Sequence, residues 1–288
     1  MSDLLVERVS GLDGRTMYHD YVEQLRPVIL TDATASWPAH GKWSLAWLRE
    51  KLGSREILLD GEMVQIGPLL DAILASDGDA PAPYLRNCYL SESMPELLPD
   101  VSPLPGDAHN RLRARGLPLP PKMRGRQELL VAGRGRHYPV LHYDAWYHHS
   151  FVTQLQGSKT FWLYNSDQGQ YLYPLDHREY ISRIDAFDPV DLTRWPDYAK
   201  ARWVEVVVHP GETIFLPSGF WHRTRCEELS IAVLWSAVSK VNWENFISDL
   251  YLGPGGKAWR RPLKQFYLKL LDWSLRPGDA RRVFSKMA

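Results

Sequence analysis

Cysteine is scarce in this chain: Cys88 and Cys226 are the only two among 288 residues. A disulfide framework or a cysteine-rich zinc cluster has nothing to build on, and two reduced thiols are expected. An excess of either charge is missing too. Thirty-four basic residues balance 34 acidic ones, so the overall charge offers no argument for nucleic acid or a membrane surface as partner. No stretch approaches the ~20 apolar residues of a spanning helix. The opening run MSDLLVERVSGLDGR is too broken by charge to hold a signal-peptide core. These absences lead to the expectation of a soluble, cytoplasmic protein with no membrane partner and no nucleic-acid partner.

What is present is apolar and aromatic: 44% of residues are hydrophobic and 12% are Phe, Trp or Tyr. That suffices for a large core in one β-rich domain. Taken in order, a helix is expected around 18–25 and a strand over 26–34, where RPVILTDAT carries a β-branched run. Ser44 is placed to cap a helix bearing Trp43 and Trp47. Asp60-Gly61 between two short apolar runs signals a hairpin, followed by a helix over 67–76. A strand follows at 84–89, with Tyr84, Arg86 and Cys88 expected on one face. The stretch 101–126 reads as a long excursion, 127–132 as a strand, 138–164 as a central hairpin and 165–205 as a second excursion. Further strands are expected at 203–209, 213–216 and 229–238. From 242 the pattern turns helical, and residues 257–288 hold nine Lys/Arg against two acids. The expected class is mainly β with helical additions: a catalytic domain over 1–245 and a C-terminal helical extension over 246–288, through which a homodimer is conceivable.

The chemistry concentrates in HYPVLHYDAWYHHSFVTQLQGSKTFWLY, residues 137–164. His142 and Asp144 stand two apart, and on a strand such positions share a face. An imidazole and a carboxylate side by side are two of the three ligands that a non-haem Fe(II) oxygenase presents on one face of its metal. A third is available in GETIFLPSGFWHRTRC, where His222 follows a strand and a turn. Of the neighbouring His148 and His149, only one can face the same cavity, and a supporting or substrate-side role is expected rather than ligation. Lys159 shares a face with Phe161 and Leu163. An ammonium among apolar neighbours needs an anionic partner, which the distal carboxylate of 2-oxoglutarate would supply. Tyr84 and Thr153 are candidates for further hydrogen bonds to that carboxylate.

These residues sit in a series of motifs: RPVIL (26–30), YLRNCYLSESMPELLPD (84–100), the HYD pair, QLQGSKTFWLY (154–164), SRIDAFDPVDLTRWPDYAKA (182–201), PGETIFLPSGFWH (210–222) and LSIAV (229–233). Together they resemble the Jumonji-C, cupin-like family of Fe(II)- and 2-oxoglutarate-dependent oxygenases, the hydroxylase branch in particular. The resemblance implies a double-stranded β-helix, with His142, Asp144 and His222 on iron. It also implies Lys159 on 2-oxoglutarate with Tyr84 close by, and O2 as co-substrate. Two positions depart from the family pattern. Pro139 stands where many members have Thr or Ser, and Ser150 is the nearest equivalent of an Asn that several hydroxylases carry after the Asp.

The expected reaction is hydroxylation of an amino-acid side chain in a protein or peptide, coupled to decarboxylation of 2-oxoglutarate to succinate. The acidic excursion 165–205, with eight Asp/Glu against five Lys/Arg, would suit a basic peptide. Alternatives are a small metabolite or a tRNA base as substrate, or a non-catalytic cupin-fold binding protein. Lysine demethylation ranks lower, since the sequence has no zinc-type cysteine cluster.

Overall fold

A computed structural model describes residues 5–76, 83–106, 109–113, 127–185 and 189–252. Strand β1 (Glu7–Val9) precedes the helical turn α1 (Gly14–Thr16), which runs on as a π-helical turn over Met17–Val22. The helical stretch begins earlier than 18 because Asp13 caps it, accepting from the Arg15 and Thr16 amides at 2.8 and 3.0 Å. Next come β2 (Val28–Leu30), α2 (Ala39–Lys42) and α3 (Leu45–Leu52). Ser44 caps α3 through the Trp47 amide at 3.2 Å, and Leu45, Leu48 and Leu52 form its buried stripe. The hairpin β3 (Glu56–Leu59) and β4 (Glu62–Gln65) leads into α4 (Ile66–Ala75). Then follow β5 (Tyr84–Tyr89), α5 (Leu90–Ser93) and β6 (Gln127–Ala132).

The second half carries most of the strands. β7 (His149–Gln156) and β8 (Lys159–Tyr164) are joined across Gly157 and Ser158. Gly157 has φ +68°, and a Cβ there would lie 2.2 Å from the Leu229 carbonyl oxygen, so the turn requires glycine. The short hairpin β9 (Pro174–Leu175) and β10 (Arg178–Ser182) follows. β11 (Val204–Val208), β12 (Thr213–Leu216), β13 (Trp221–Cys226), β14 (Ser230–Ala237) and helix α6 (Trp243–Leu252) complete the described chain.

Seven strands form one large sheet in the order β1-β2-β12-β7-β14-β6-β5, and three form a smaller one, β11-β8-β13. The two face each other as a double-stranded β-helix (a jelly roll). Val152, Ile214 and Ala232 of the large sheet and Phe161, Leu163 and Val208 of the small one pack into the space between them. The outer face of the large sheet, with Phe151, Phe215 and Trp235, is covered by α3 and α4 through Leu48, Leu52, Leu70 and Ile73. Each such buried side chain contributes roughly 1.5–3 kcal/mol, and this second core is what makes the N-terminal elements part of the domain. Cys88 and Cys226 are buried and unbridged. Among the described residues no helix is long and apolar enough to cross a membrane.

Several local expectations are corrected. The segment 138–144 is not a regular strand but extended chain with isolated bridges, His137 to Arg225 and His142 to His222 and Ile181. Pro139 has no N–H to give to a ladder. His222, beyond the turn that ends at Phe220, is the second residue of β13. On β5 the pairing shifts between Leu85 and Cys88, and Asn87 takes a φ of 55°. This bulge leaves Tyr84 and Arg86 facing the interior cavity and turns Cys88 to the outer core with Leu85. The boundary drawn at 245/246 falls inside α6. The rest of the helical extension, from 253, lies outside the described residues, and with it the basic surface on which a dimer contact was expected.

Candidate active site

Between the two sheets lies a cavity of about 530 Å³, lined by residues of both. Its deep wall is apolar, with Leu130, Val152 and Phe161, and it also carries Tyr84, Lys159 and Thr224. The more exposed lining includes Asn87, Trp146, Arg178 and Tyr180. His142, Asp144 and His222 line it as well, and their ligand atoms all lie within 4.8 Å of one another.

Backbone pairing brings the two histidines together. The His142 amide donates to the His222 carbonyl at 3.1 Å, and the His222 amide donates back at 2.6 Å. The rings stand 4.4 Å apart between centroids. Each ring is oriented by its own chain: Nδ1 of His142 meets the Val140 carbonyl at 3.0 Å, and Nδ1 of His222 meets the Phe220 carbonyl at 3.1 Å. A carbonyl only accepts, so Nδ1 carries the proton in both rings and Nε2 is left with its lone pair. Nε2 of His142 lies 3.9 Å from Oδ1 of Asp144. Burial, reinforced by the neighbouring His222, pushes the His142 imidazolium down to about 4, so the ring is neutral near pH 7. Burial works against ionisation of Asp144. The His222 and His142 rings and the nearby Ser150 hydroxyl outweigh it and hold the carboxyl below its ordinary value. Two imidazole nitrogens and one carboxylate, converging from one side, match the donor set of a non-haem iron site.

Asp144 is positioned differently from the histidines. It opens a short 3-10 turn, Ala145–Tyr147, in which Trp146 and Tyr147 have φ of 58° and 50°. A left-handed backbone at a non-glycine residue costs on the order of 1–2 kcal/mol each, so contacts must hold it. The Trp146 amide donates to Oδ2 of Asp249 at 2.9 Å, and Nδ2 of Asn242 donates to the Tyr147 carbonyl at 2.7 Å.

Lys159 begins β8 and is 2% exposed. Its Nζ donates to the Tyr84 hydroxyl at 3.2 Å, and no ion pair among the described residues neutralises it. Burial lowers its pKa, with Cys226 and Glu128 acting in the opposite direction. A buried ammonium facing a cavity fits a carboxylate ligand, and Tyr84 stands beside it in the same cavity lining. Thr153 does not. Strand alternation turns it to the other face of β7, where its hydroxyl hydrogen-bonds that of Thr213 at 2.7 Å, and it does not line the cavity. Of the adjacent pair, His148 lines the cavity and His149 points away. His149 accepts from the Ser218 amide at 3.1 Å and meets Ser239 Oγ at 3.0 Å. Burial, with His148 adding to it, drives its pKa down to about 3, so it is neutral and structural. Thr224, Arg178 and Tyr180 escaped the sequence reading. The alternation in WHRTRC, with His222, Thr224 and Cys226 inward, was the available signal for Thr224.

Comparison with known proteins agrees with this geometry. A family model described as a cupin-like domain matches residues 58–238. Lysine-specific demethylase 8 of Danio rerio is 24% identical over 234 residues, covering 74% of this chain and 53% of the relative. Lysine-specific demethylase JMJ30 of Arabidopsis thaliana is 26% identical over 248 residues, 79% of this chain and 53% of its own. A shorter match, 29% over 110 residues, links 38% of the chain to 31% of the tRNA wybutosine-synthesizing protein 5 of Mus musculus. The chain thus spans about half the length of the two demethylases. With its jelly-roll core, its two histidines and one aspartate around a common point and its buried lysine, the chain belongs to the cupin-like, JmjC-type family of 2-oxoglutarate-dependent oxygenases, whose cofactors are Fe(II), 2-oxoglutarate and O2.

Proposed function

We propose that this protein hydroxylates an amino-acid side chain in a protein or peptide, with conversion of 2-oxoglutarate and O2 to succinate and CO2. The observation that carries the reading is the convergence of His142, Asp144 and His222 within 4.8 Å in the cavity that also holds the Lys159 ammonium. The family's Fe(II) and 2-oxoglutarate, when bound, supply the oxidising chemistry at the reacting carbon. The chain's own part is to hold and orient. His142 and His222 present Nε2, fixed by their Nδ1 hydrogen bonds, and Asp144 presents its carboxylate. Lys159, with Tyr84 beside it, would hold the far carboxylate of 2-oxoglutarate. Leu130, Val152 and Phe161 keep that end dry, which strengthens the charge pairing. The wider lining at Trp146, Arg178 and Tyr180 is left for the substrate residue.

A macromolecular substrate is supported by the relatives named lysine-specific demethylases. Those names also favour a second reading, oxidation of an N-methyl group on a lysine, which would end in loss of the methyl. The test is succinate formation with Fe(II) and 2-oxoglutarate, in wild type and His142→Ala, followed by mass spectrometry of peptides exposed to each. Succinate from wild type alone and a +16 shift on a peptide would support hydroxylation, whereas a −14 shift on methylated peptides would favour demethylation. Equal traces from both proteins would remove the oxygenase reading and leave a binding protein.

A further inference from the structure

Helix α6 and the residue that leads into it, Asn242, place Asn242, Phe246 and Asp249 along one side of the loop that follows Asp144. Positions i, i+4 and i+7 fall on one stripe of a helix. Asp249 accepts the Trp146 amide at 2.9 Å and Asn242 donates to the Tyr147 carbonyl at 2.7 Å. Phe246, fully buried, stacks on the His148 ring with centroids 5.3 Å apart. Asn242 is itself fastened, accepting from the Ser239 amide at 2.7 Å. Three consecutive residues, 146 to 148, are therefore each touched from α6 or from the residue that leads into it. Two of them have the left-handed backbone that a Trp and a Tyr do not adopt without support.

We propose that α6 is a clamp on the metal-ligand loop, with Asp249 and Asn242 as positioning residues that aim the Asp144 carboxylate at the point where the two histidines converge. Neither residue touches the centre. They act by holding a backbone that, if released, would relax toward ordinary φ values and swing Asp144 away. The inference rests on the reading that His142, Asp144 and His222 bind metal, and it adds that helix α6 is part of that site.

Binding of Mn(II) alone, titrated into the full-length protein by calorimetry, tests it without catalysis. Asp249→Ala is expected to weaken Mn(II) binding about tenfold, the scale seen when the outer partners of metal ligands are removed. Asp249→Asn, which retains an acceptor for the Trp146 amide, should stay within about twofold of wild type by the same reasoning. A purely structural role would lower the melting temperature in both without separating their affinities. His142→Ala supplies the control. If it binds Mn(II) as wild type does, the metal reading itself fails. If it loses binding while folded Asp249→Ala does not, the clamp alone fails. Amide exchange on the wild type gives a variant-free check: the Trp146 amide should be protected together with α6. Free exchange at Trp146 beside a protected helix would overturn the proposal.

Discussion

At the deep end of the cavity, Lys159 stands on β8 and Tyr84 on β5, each in register with strands on either side or at its edge. At the metal end only His222 has that support, while His142 and Asp144 sit on chain with isolated bridges and a left-handed turn. One end is placed by sheet geometry, the other by caps, reciprocal backbone bonds and a helix from the far end of the described chain. A strand positions a side chain through many small equivalent interactions. A loop does so through a few specific ones, each of which can be removed singly.

Three substitutions test that division. Replacing Lys159 with Met should raise the KM for 2-oxoglutarate roughly a hundredfold, the penalty for removing one partner of a buried charge pair. Mn(II) affinity without 2-oxoglutarate should be unchanged, and a parallel loss of metal binding would mean that the two ends are not independent. Tyr84→Phe removes one hydrogen bond and should raise the same KM about two- to tenfold, read in the same steady-state assay. The smallest effect on catalysis is expected from Thr153→Val. It strands the Thr213 hydroxyl in the outer core and should lower stability by about 1 kcal/mol in a denaturant titration, with no change in KM. A rise in KM there would put Thr153 back in the cavity.

The contrast also explains what could be read from residues alone. Strands with β-branched or apolar runs were legible: 127–132 and 213–216 coincide with β6 and β12, and Lys159 shares its inward face with Phe161 as period-two alternation requires. The pairing of His142 with Asp144 was legible because i and i+2 remain on one side even where the strand is irregular. Thr153 was misplaced by one step of the same alternation, since Val152 lies on the cavity face of β7, as does His148 just before the strand. The β5 bulge turned Cys88 away from Tyr84 and Arg86, and a single Asn with positive φ leaves no periodic trace. β10 lay hidden in an acidic stretch read as an excursion, because an edge strand that pairs with a two-residue partner needs no hydrophobic run. The contacts of α6 with the Asp144 loop join residues about a hundred positions apart, as in Trp146 to Asp249, a relation that no local pattern encodes.

The mutual amide bonds between residues 142 and 222 have one further consequence. Because peptide groups tie these segments and nearby carbonyls set both ring tautomers, the imidazole half of the centre is assembled by folding itself. The polypeptide can therefore mature first and acquire its ion afterwards, and chelation should strip the ion without melting the barrel. Repeated cycles of demetallation and reloading ought to return the same protein, as a vessel keeps its shape whether or not it is filled.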